Sequence, residues 1–382
     1  MHSQATKPRP LASPSDVTKT WLKEMLSRKN GRQVTVESHR METPESQEGY
    51  LSEIRFLWVK YFQQDGTSHE RHLVFKFLPV LRSKRHFVLE ENVGKREVNV
   101  NRFFVSEEMS TFCRKHGVRI PVPDVYYADM GPDALTLVLQ DMRKEGFRNM
   151  CPKYGINLQQ TASALQTIAV VHAVGLTYTE LHGLESLIEY VPELPSVGAF
   201  LDSYLSSGLL RLASLYEGTS IAGALETLSR ETRRLRSPPA DVRLPPTLIH
   251  GDLWAGQIMF SEDHSKAILL DWQFASVGSQ VIDIVSLLLM SCEAEVYEER
   301  LTEALSSYWH SFSDTLKTCK MSLSFTFEDL VDAVEKSWHI GFMMLMTSLE
   351  SHMDQGKITE ERVKRVVNFL NNKRIFESIL HF

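Results

Sequence analysis

Four side chains close together in the chain could do chemistry jointly: His250, Asp252, Gln257 and Asp271. They fall in Leu248-Ile-His-Gly-Asp-Leu-Trp-Ala-Gly-Gln-Ile-Met-Phe260 and Lys266-Ala-Ile-Leu-Leu-Asp-Trp-Gln-Phe274, each joining an apolar, strand-like run to polar residues. Two short buried strands would deliver these groups into one small volume. An aspartate followed five residues later by a side-chain amide, then by a second aspartate at a strand end, is what phosphoryl transfer requires. One carboxylate accepts the proton of the incoming hydroxyl, while the amide and the other carboxylate hold magnesium on the nucleotide phosphates. Each residue alone has a plainer reading, because an aspartate after a strand commonly caps a turn. The combination points to a nucleotide site.

Such a site makes demands elsewhere. It needs a lysine on a buried strand, and Lys76 sits in the apolar run Leu73-Val-Phe-Lys-Phe-Leu78. An unpaired ammonium there would be costly. Glu97, in Lys95-Arg-Glu-Val98 at the start of the next helical stretch, can pair with it and aim the amine at the α- and β-phosphates. A lysine snorkelling from an edge strand is the alternative. A GxGxxG loop is absent. The turn Gln47-Glu-Gly-Tyr-Leu-Ser52 offers Gly49, where backbone could approach phosphate, and the Ser52 hydroxyl; a plain hairpin accounts for the same residues. Leu137-Val-Leu-Gln-Asp-Met142 runs from a buried strand into a hinge, where Gln140 and Met142 would offer a backbone C=O and N–H to adenine.

The elements that must position these groups are legible as two regions. Ser15-Asp16 can cap a helix to about Asn30, with Gly31 as its stop. Residues 33–40, 50–62 and 69–78 are rich in β-branched and aromatic residues and read as an antiparallel meander, broken at 43–49 and 63–66. The basic run Arg82-Ser-Lys-Arg-His86 reads as a solvated loop. A helix over 95–116, ending at Gly117, precedes strands at 124–128 and 135–139, joined by a Gly131-Pro132 turn. The first region is thus a five-stranded sheet with one helix inserted after the third strand. Beyond a hinge at 140–146 the pattern is helical: 158–174 ending at Gly175, 196–215, and 222–235 closed by Arg236-Ser-Pro-Pro239. After the two short strands it resumes at about 283–291, 294–317, 327–350 and 358–379. The domains expected are a disordered tail over 1–14, a nucleotide-binding lobe over 15–140, and a helical catalytic and acceptor lobe over 141–382.

With 382 residues the chain can bury an ample core without staples. A net charge of −6, with 43% hydrophobic and 24% charged residues, gives no reason to expect nucleic acid or an anionic membrane as a partner. Cys113, Cys151, Cys292 and Cys319 are widely spaced, so neither a disulfide framework nor a zinc site is indicated and a reducing, cytoplasmic setting is expected. No run approaches the roughly 18 apolar residues needed to span a bilayer, and the start of the chain lacks the apolar core of a signal peptide. No obligate protein partner is evident.

Four segments together resemble a known family: Leu137-Val-Leu-Gln-Asp-Met-Arg-Lys-Glu-Gly-Phe-Arg148, Ile168-Ala-Val-Val-His-Ala173, His250-Gly-Asp-Leu-Trp254 and Leu270-Asp-Trp-Gln-Phe-Ala275. They are similar to the CHK kinase-like group, which includes the ecdysteroid kinase-like proteins within the wider choline kinase and aminoglycoside phosphotransferase superfamily. The resemblance runs from about residue 33 to about residue 350, and the His-Gly-Asp-Leu-Trp block is its most specific part. It implies an α+β, protein-kinase-like bilobal fold and transfer of the ATP γ-phosphate to a hydroxyl of a small molecule, with Mg2+ as cofactor. It further implies Asp252 as catalytic base, Asp271 as principal magnesium ligand, and Lys76 with Glu97 as the phosphate-orienting pair. His250 would shape the catalytic loop, Asp283 would hydrogen-bond that loop, and His172 would pack beneath it or be a satisfied core histidine.

One departure stands out: the family pattern has asparagine five residues after the catalytic aspartate, and this chain has Gln257. The extra methylene moves the amide by roughly 1.5 Å, a displacement that octahedral magnesium tolerates poorly unless backbone or water compensates. A catalytically weak or inactive pseudokinase that binds nucleotide as a sensor or interaction module is therefore the competing reading. A metal-dependent hydrolase using His250, Asp252 and Asp271 would leave Lys76 and the hinge without a role. The acceptor would sit between Asp252 and the last helices, which carry Tyr308, Trp309, Trp338, Phe342, Met343 and Met346. Most of these are expected in the core; a few would line an apolar pocket for a lipophilic, sterol-like alcohol.

Overall fold

In a computed structural model of the protein, the structure describes residues 8–44, 51–151, 153–191, 197–236 and 244–381. Gly49, the Thr43–Gly49 break beyond residue 44 and the prolines after Arg236 therefore lie outside the described residues. The chain divides into two compact units, one comprising residues up to Phe112, Val122–Gly146 and a short stretch from Tyr190, the other the remainder.

The first unit is built on α1 (Lys19–Asn30), β1 (Val34–Glu42), β2 (Glu53–Gln63), β3 (Ser68–Phe77), α2 (Arg82–Glu90) and α3 (Val93–Phe104), after which α4 (Glu107–His116) leads on to β4 (Val125–Met130) and β5 (Leu135–Gln140). The five strands form an antiparallel sheet in the order β1-β2-β3-β5-β4. Side chains alternate across it. Leu73, Phe75 and Phe77 of β3 share one core with Trp21, Leu22, Met25 and Leu26 of α1. Leu137 and Leu139 of β5 join a second core with Val88 of α2 and Val98 of α3. Lys76, set between Phe75 and Phe77, consequently faces away from the α1 core.

Four expectations for this unit change. The first helix begins after Thr18, whose hydroxyl accepts the Trp21 N–H, and Pro14–Asp16 forms a separate 3-10 turn. The basic run at 82–86 is not a loop but opens α2, because Val88 supplies an apolar anchor for that turn. The single helix after β3 is three helices, since Ser106 interrupts the pattern and its hydroxyl accepts the Met109 N–H at 3.0 Å to start α4. Of residues 1–14, expected as a disordered tail, those from Pro8 onward lie on the sheet. The Pro8 carbonyl accepts the Tyr127 hydroxyl, the Arg9 carbonyl accepts the Trp21 indole N–H, and the Leu11 N–H donates to Thr136 Oγ1 at 2.7 Å.

The second unit begins with β6 (Arg148–Asn149), α5 (Leu158–His182), α6 (Leu184–Ile188), α7 (Val197–Ser214) and α8 (Ser220–Arg230). Four short strands follow: β7 (Thr247–Ile249), β8 (Ile258–Phe260), β9 (Ala267–Leu269) and β10 (Ser276–Gly278). Helices α9 (Val281–Ser291), α10 (Ala294–Glu298), α11 (Leu301–Thr318), α12 (Phe327–Glu335), α13 (Trp338–Asp354), α14 (Glu360–Asn372) and α15 (Ile375–His381) complete it. β7 pairs with β10, while β8 pairs with β6 and β9, all antiparallel. The helix from 158 does not stop at Gly175 but continues to His182. Gly175 instead marks close packing, because a β-carbon there would meet Thr247 Oγ1 at 2.6 Å and the Leu248 N at 2.9 Å. Among the described residues, no helix is long and apolar enough to cross a membrane.

Candidate active site

In the first unit, alternation along β3 turns Lys76 toward α3, and there its ammonium donates to Glu97 Oε1 at 2.5 Å. Both are buried, at 7% and 5% exposure, so the pair is one that low dielectric strengthens and whose separation would be costly. The snorkelling alternative is thereby removed. At the end of β5, the Gln140 N–H donates to the Asp124 carbonyl and the Asp141 N–H to the His72 carbonyl. The Asp141 carboxylate caps the Arg143 N–H and pairs with the Arg143 guanidinium at 2.7 Å, and that guanidinium lies 3.4 Å over the Phe56 ring. Burial raises the Asp141 carboxyl, but the bonds and charge of Arg143 outweigh it and hold the group below the ordinary carboxylate range. Met142 is buried at the start of the ensuing 3-10 turn, and Ser52 is half-buried just ahead of β2.

In the second unit, the loop after β7 carries His250 and Asp252, and its shape is fixed from below by Asp283 of α9. The Asp283 carboxylate accepts the His250 N–H at 2.7 Å and the Gly251 N–H at 2.9 Å. It also meets His172 Nε2 of α5 at 3.0 Å. Because an ionised carboxylate only accepts, we assign the proton to Nε2, which leaves Nδ1 to accept from the Tyr308 hydroxyl of α11 at 2.9 Å. Burial alone would raise Asp283, but the hydrogen bond from His172, followed by the His250 backbone N–H, holds it below the ordinary carboxylate range. Gly251 has φ of 77°, and a β-carbon on it would fall 2.1 Å from the Phe274 carbonyl oxygen, so only glycine fits.

His250 is fully buried and donates from Nε2 to the Leu270 carbonyl at 2.7 Å, one residue before Asp271. Burial pushes its pKa down, so the ring stays neutral and serves as a brace between the two strand ends. Trp272 packs against it with ring centroids 4.7 Å apart. Asp271 itself adopts φ of 65°, a left-handed conformation rare outside glycine, asparagine and aspartate. The Leu270 N–H donates to the Gln257 carbonyl at 2.9 Å, joining the third polar residue to the same strand end.

Asp252, Gln257 and Asp271 thus meet. Gln257 Nε2 donates to Asp252 Oδ2 at 3.4 Å. Burial, then the charge of Asp271, pushes the Asp252 carboxyl up to about 7, with the Gln257 bond opposing. A carboxylate with raised proton affinity is suited to accept a proton near neutral pH. Among the described residues no group of three or more His, Cys, Asp or Glu side chains could hold a metal unaided. Magnesium, which keeps waters and phosphate oxygens in its shell, fits a sparse oxygen set such as Asp271 and Gln257.

The partners of this loop were only partly foreseen. His172 and Asp283 were legible, but Tyr308 was expected as core or acceptor pocket, and it is fully buried as the last link of the Asp283 network. Trp338, Phe342 and Met346 are likewise core, leaving Trp309 and Met343 half-buried. Ser291, which accepts the Ala255 N–H at 2.7 Å from the end of α9, carried no signal beyond being a serine in an apolar run.

A sheet unit presenting a buried lysine–glutamate pair and a helical unit presenting paired aspartates on a braced loop define a small-molecule kinase. The chain belongs to the ecdysteroid kinase-like family, whose sequence profile matches residues 46–321. It is similar to solved structures of Plasmodium vivax ethanolamine kinase (12% identity, 90% of this chain and 85% of that one, TM-score 0.44). It is also similar to choline kinase LicA from Streptococcus pneumoniae (12% identity, 92% and 98%, TM-score 0.40). A third likeness is to a type I macrolide 2'-phosphotransferase (15% identity, 94% and 97%, TM-score 0.38). No curated protein sequence matches the chain.

Proposed function

We propose that the protein transfers the γ-phosphate of ATP to a hydroxyl of a small molecule, with Asp252 as the base. The observation that carries this reading is a carboxyl pushed up to about 7 beside Asp271 and Gln257, on a loop locked by Asp283. As the acceptor oxygen attacks the γ-phosphorus, its proton passes to the Asp252 carboxylate and ADP departs. Lys76, steered by Glu97, binds the α- and β-phosphates. The Gln140 carbonyl and the Met142 N–H, at the end of β5, would meet adenine. Ser52, just ahead of β2, would touch the phosphates, and Gly49, outside the described residues, keeps the backbone role that its sequence position suggests. Asp271 and Gln257 would hold magnesium, which supplies neutralisation of phosphate charge. The acceptor is a lipophilic or steroid-like alcohol, and the free thiols of Cys113, Cys151, Cys292 and Cys319 suit a cytoplasmic setting.

A nucleotide-binding pseudokinase is favoured by one observation: the Gln257 amide nitrogen is engaged with Asp252, the residue that must accept the proton. ATP consumption with a panel of hydroxylated compounds separates the two. Wild type should exceed Asp252→Asn by about 10²-fold or more. A wild type that binds Mg-ATP yet never outpaces the variant would sink the enzyme reading.

A further inference from the structure

Trp254 has no part in the phosphoryl-transfer chemistry, yet it stands two residues after Asp252 and is held in place from several sides. Its indole lies across the backbone of Gly256, where a β-carbon would come within 2.2 Å of the ring. His352 of α13 packs on it with centroids 4.4 Å apart. The Lys357 ammonium lies 5.2 Å from the ring centroid, within cation–π range. Lys357 reaches this position because α13 ends in a left-handed turn: Gly356 has φ of 64°, and the Lys357 N–H returns to the His352 carbonyl at 2.7 Å.

The charges that act on His352 are those of Lys357 and Arg362. Among the described residues, Lys357 forms no ion pair, and burial pulls its ammonium pKa down with no carboxylate opposing it. His352 is pushed down to about 4 by burial and then by the charges of Lys357 and the buried Arg362. The carbonyl end of α13 offsets part of the lysine's charge. A half-buried ammonium without an anion is still a costly arrangement that an incoming anion would relieve.

Building on the phosphotransferase reading above, we propose that Trp254, His352 and Lys357 form the acceptor subsite, which takes a hydroxylated molecule bearing an apolar portion and an anionic group, a carboxylate or sulfate. The anion pairs with Lys357, and the apolar portion packs beside the indole. Quaternary ammonium and polyamine acceptors are rejected, since the cation position over Trp254 is already filled and like charge repels them.

The test uses two probes of matched shape, benzyl alcohol and para-hydroxymethylbenzoate. Binding is measured calorimetrically on Asp252→Asn protein with Mg-ATP, and turnover on the wild type. The carboxylate probe should bind about tenfold tighter or more than the alcohol, as a charge-assisted bond implies. Lys357→Gln should abolish that preference and Lys357→Arg should keep it, with thermal unfolding showing each variant folded. Equal binding of the two probes, binding of neither, or a preference that survives Lys357→Gln would overturn the subsite. A lysine-dependent preference without turnover of any hydroxylated probe would uphold the anion site and overturn the phosphotransferase reading instead.

Discussion

Asp252 and Asp283 lie 31 positions apart, the first half-buried and the second fully buried, yet their carboxyls move in opposite directions. The difference is the supply of donors. Asp283 receives two backbone N–H groups and the His172 imidazole, which together outweigh its desolvation. Asp252 has one long bond from Gln257 and the like charge of Asp271 beside it. The same burial thus leaves one aspartate held as an anion and the other with raised proton affinity, which is what the proposed base requires. Specificity of role comes from the second layer of contacts, not from the residue type.

The largest expected effect tests the acceptor side of that contrast. Asp252→Asn should lower turnover by about 10²–10⁴-fold while leaving the fold intact. Linkage gives a second readout in metal-free buffer. A carboxyl whose folded pKa is raised contributes stability below its unfolded pKa, about 4, and loses it as pH rises through about 7. Asp252→Asn should therefore gain stability relative to wild type between pH 5 and 8 in urea titrations. A difference that stays flat with pH would remove the distinction between the two aspartates.

Asp283 should behave in the reverse manner. Its pKa is depressed, so its contribution is present above the ordinary carboxylate range and is lost as pH falls below it. Asp283→Ala should cost about 3–5 kcal/mol in urea unfolding, because it strands the His172 imidazole and two buried N–H groups. A loss below about 1 kcal/mol would mean the loop is held by something else.

How far this contrast was readable beforehand depends on distance along the chain. Lys76 and Glu97 were legible because a charge in an alternating apolar strand demands a partner and the next helix offers one. The sheet followed from β-branched runs and turn residues. The helix count after β3 was not, because Ser106 fits the interior of a helical pattern while its hydroxyl starts a new helix. Nor was the Tyr308 end of the Asp283 network. His172 and Tyr308 lie 136 residues apart, and no periodicity encodes such a pairing. Lys357 over Trp254 was hidden for the same reason: it depends on a helix end whose position only packing determines.

A smaller effect probes the far end of the network. Tyr308→Phe removes the hydroxyl that donates to His172 Nδ1 and leaves that buried nitrogen without its donor. Stability should fall by about 1–2 kcal/mol, with turnover close to wild type, since Asp283 keeps His172 and the loop. A large loss of turnover at unchanged stability would show that the hydroxyl reaches the chemistry and does more than hold Asp283 in place.

The finest test concerns Gln257, which stands on the Asp252 side of the comparison. Gln257→Asn withdraws the amide by roughly one C–C bond, about 1.5 Å, and so lengthens a contact with Asp252 that is already 3.4 Å. Loss of that donor should raise the proton affinity of Asp252 further, because the Gln257 bond opposes burial and the charge of Asp271. It would also change how the amide oxygen meets the metal, and manganese accepts altered oxygen geometry differently from magnesium. The expected outcome is a shift of a few-fold in the ratio of magnesium- to manganese-supported turnover, without loss of nucleotide binding through Lys76. Identical ratios in the two proteins would take Gln257 off the metal and leave it as a donor to the base alone.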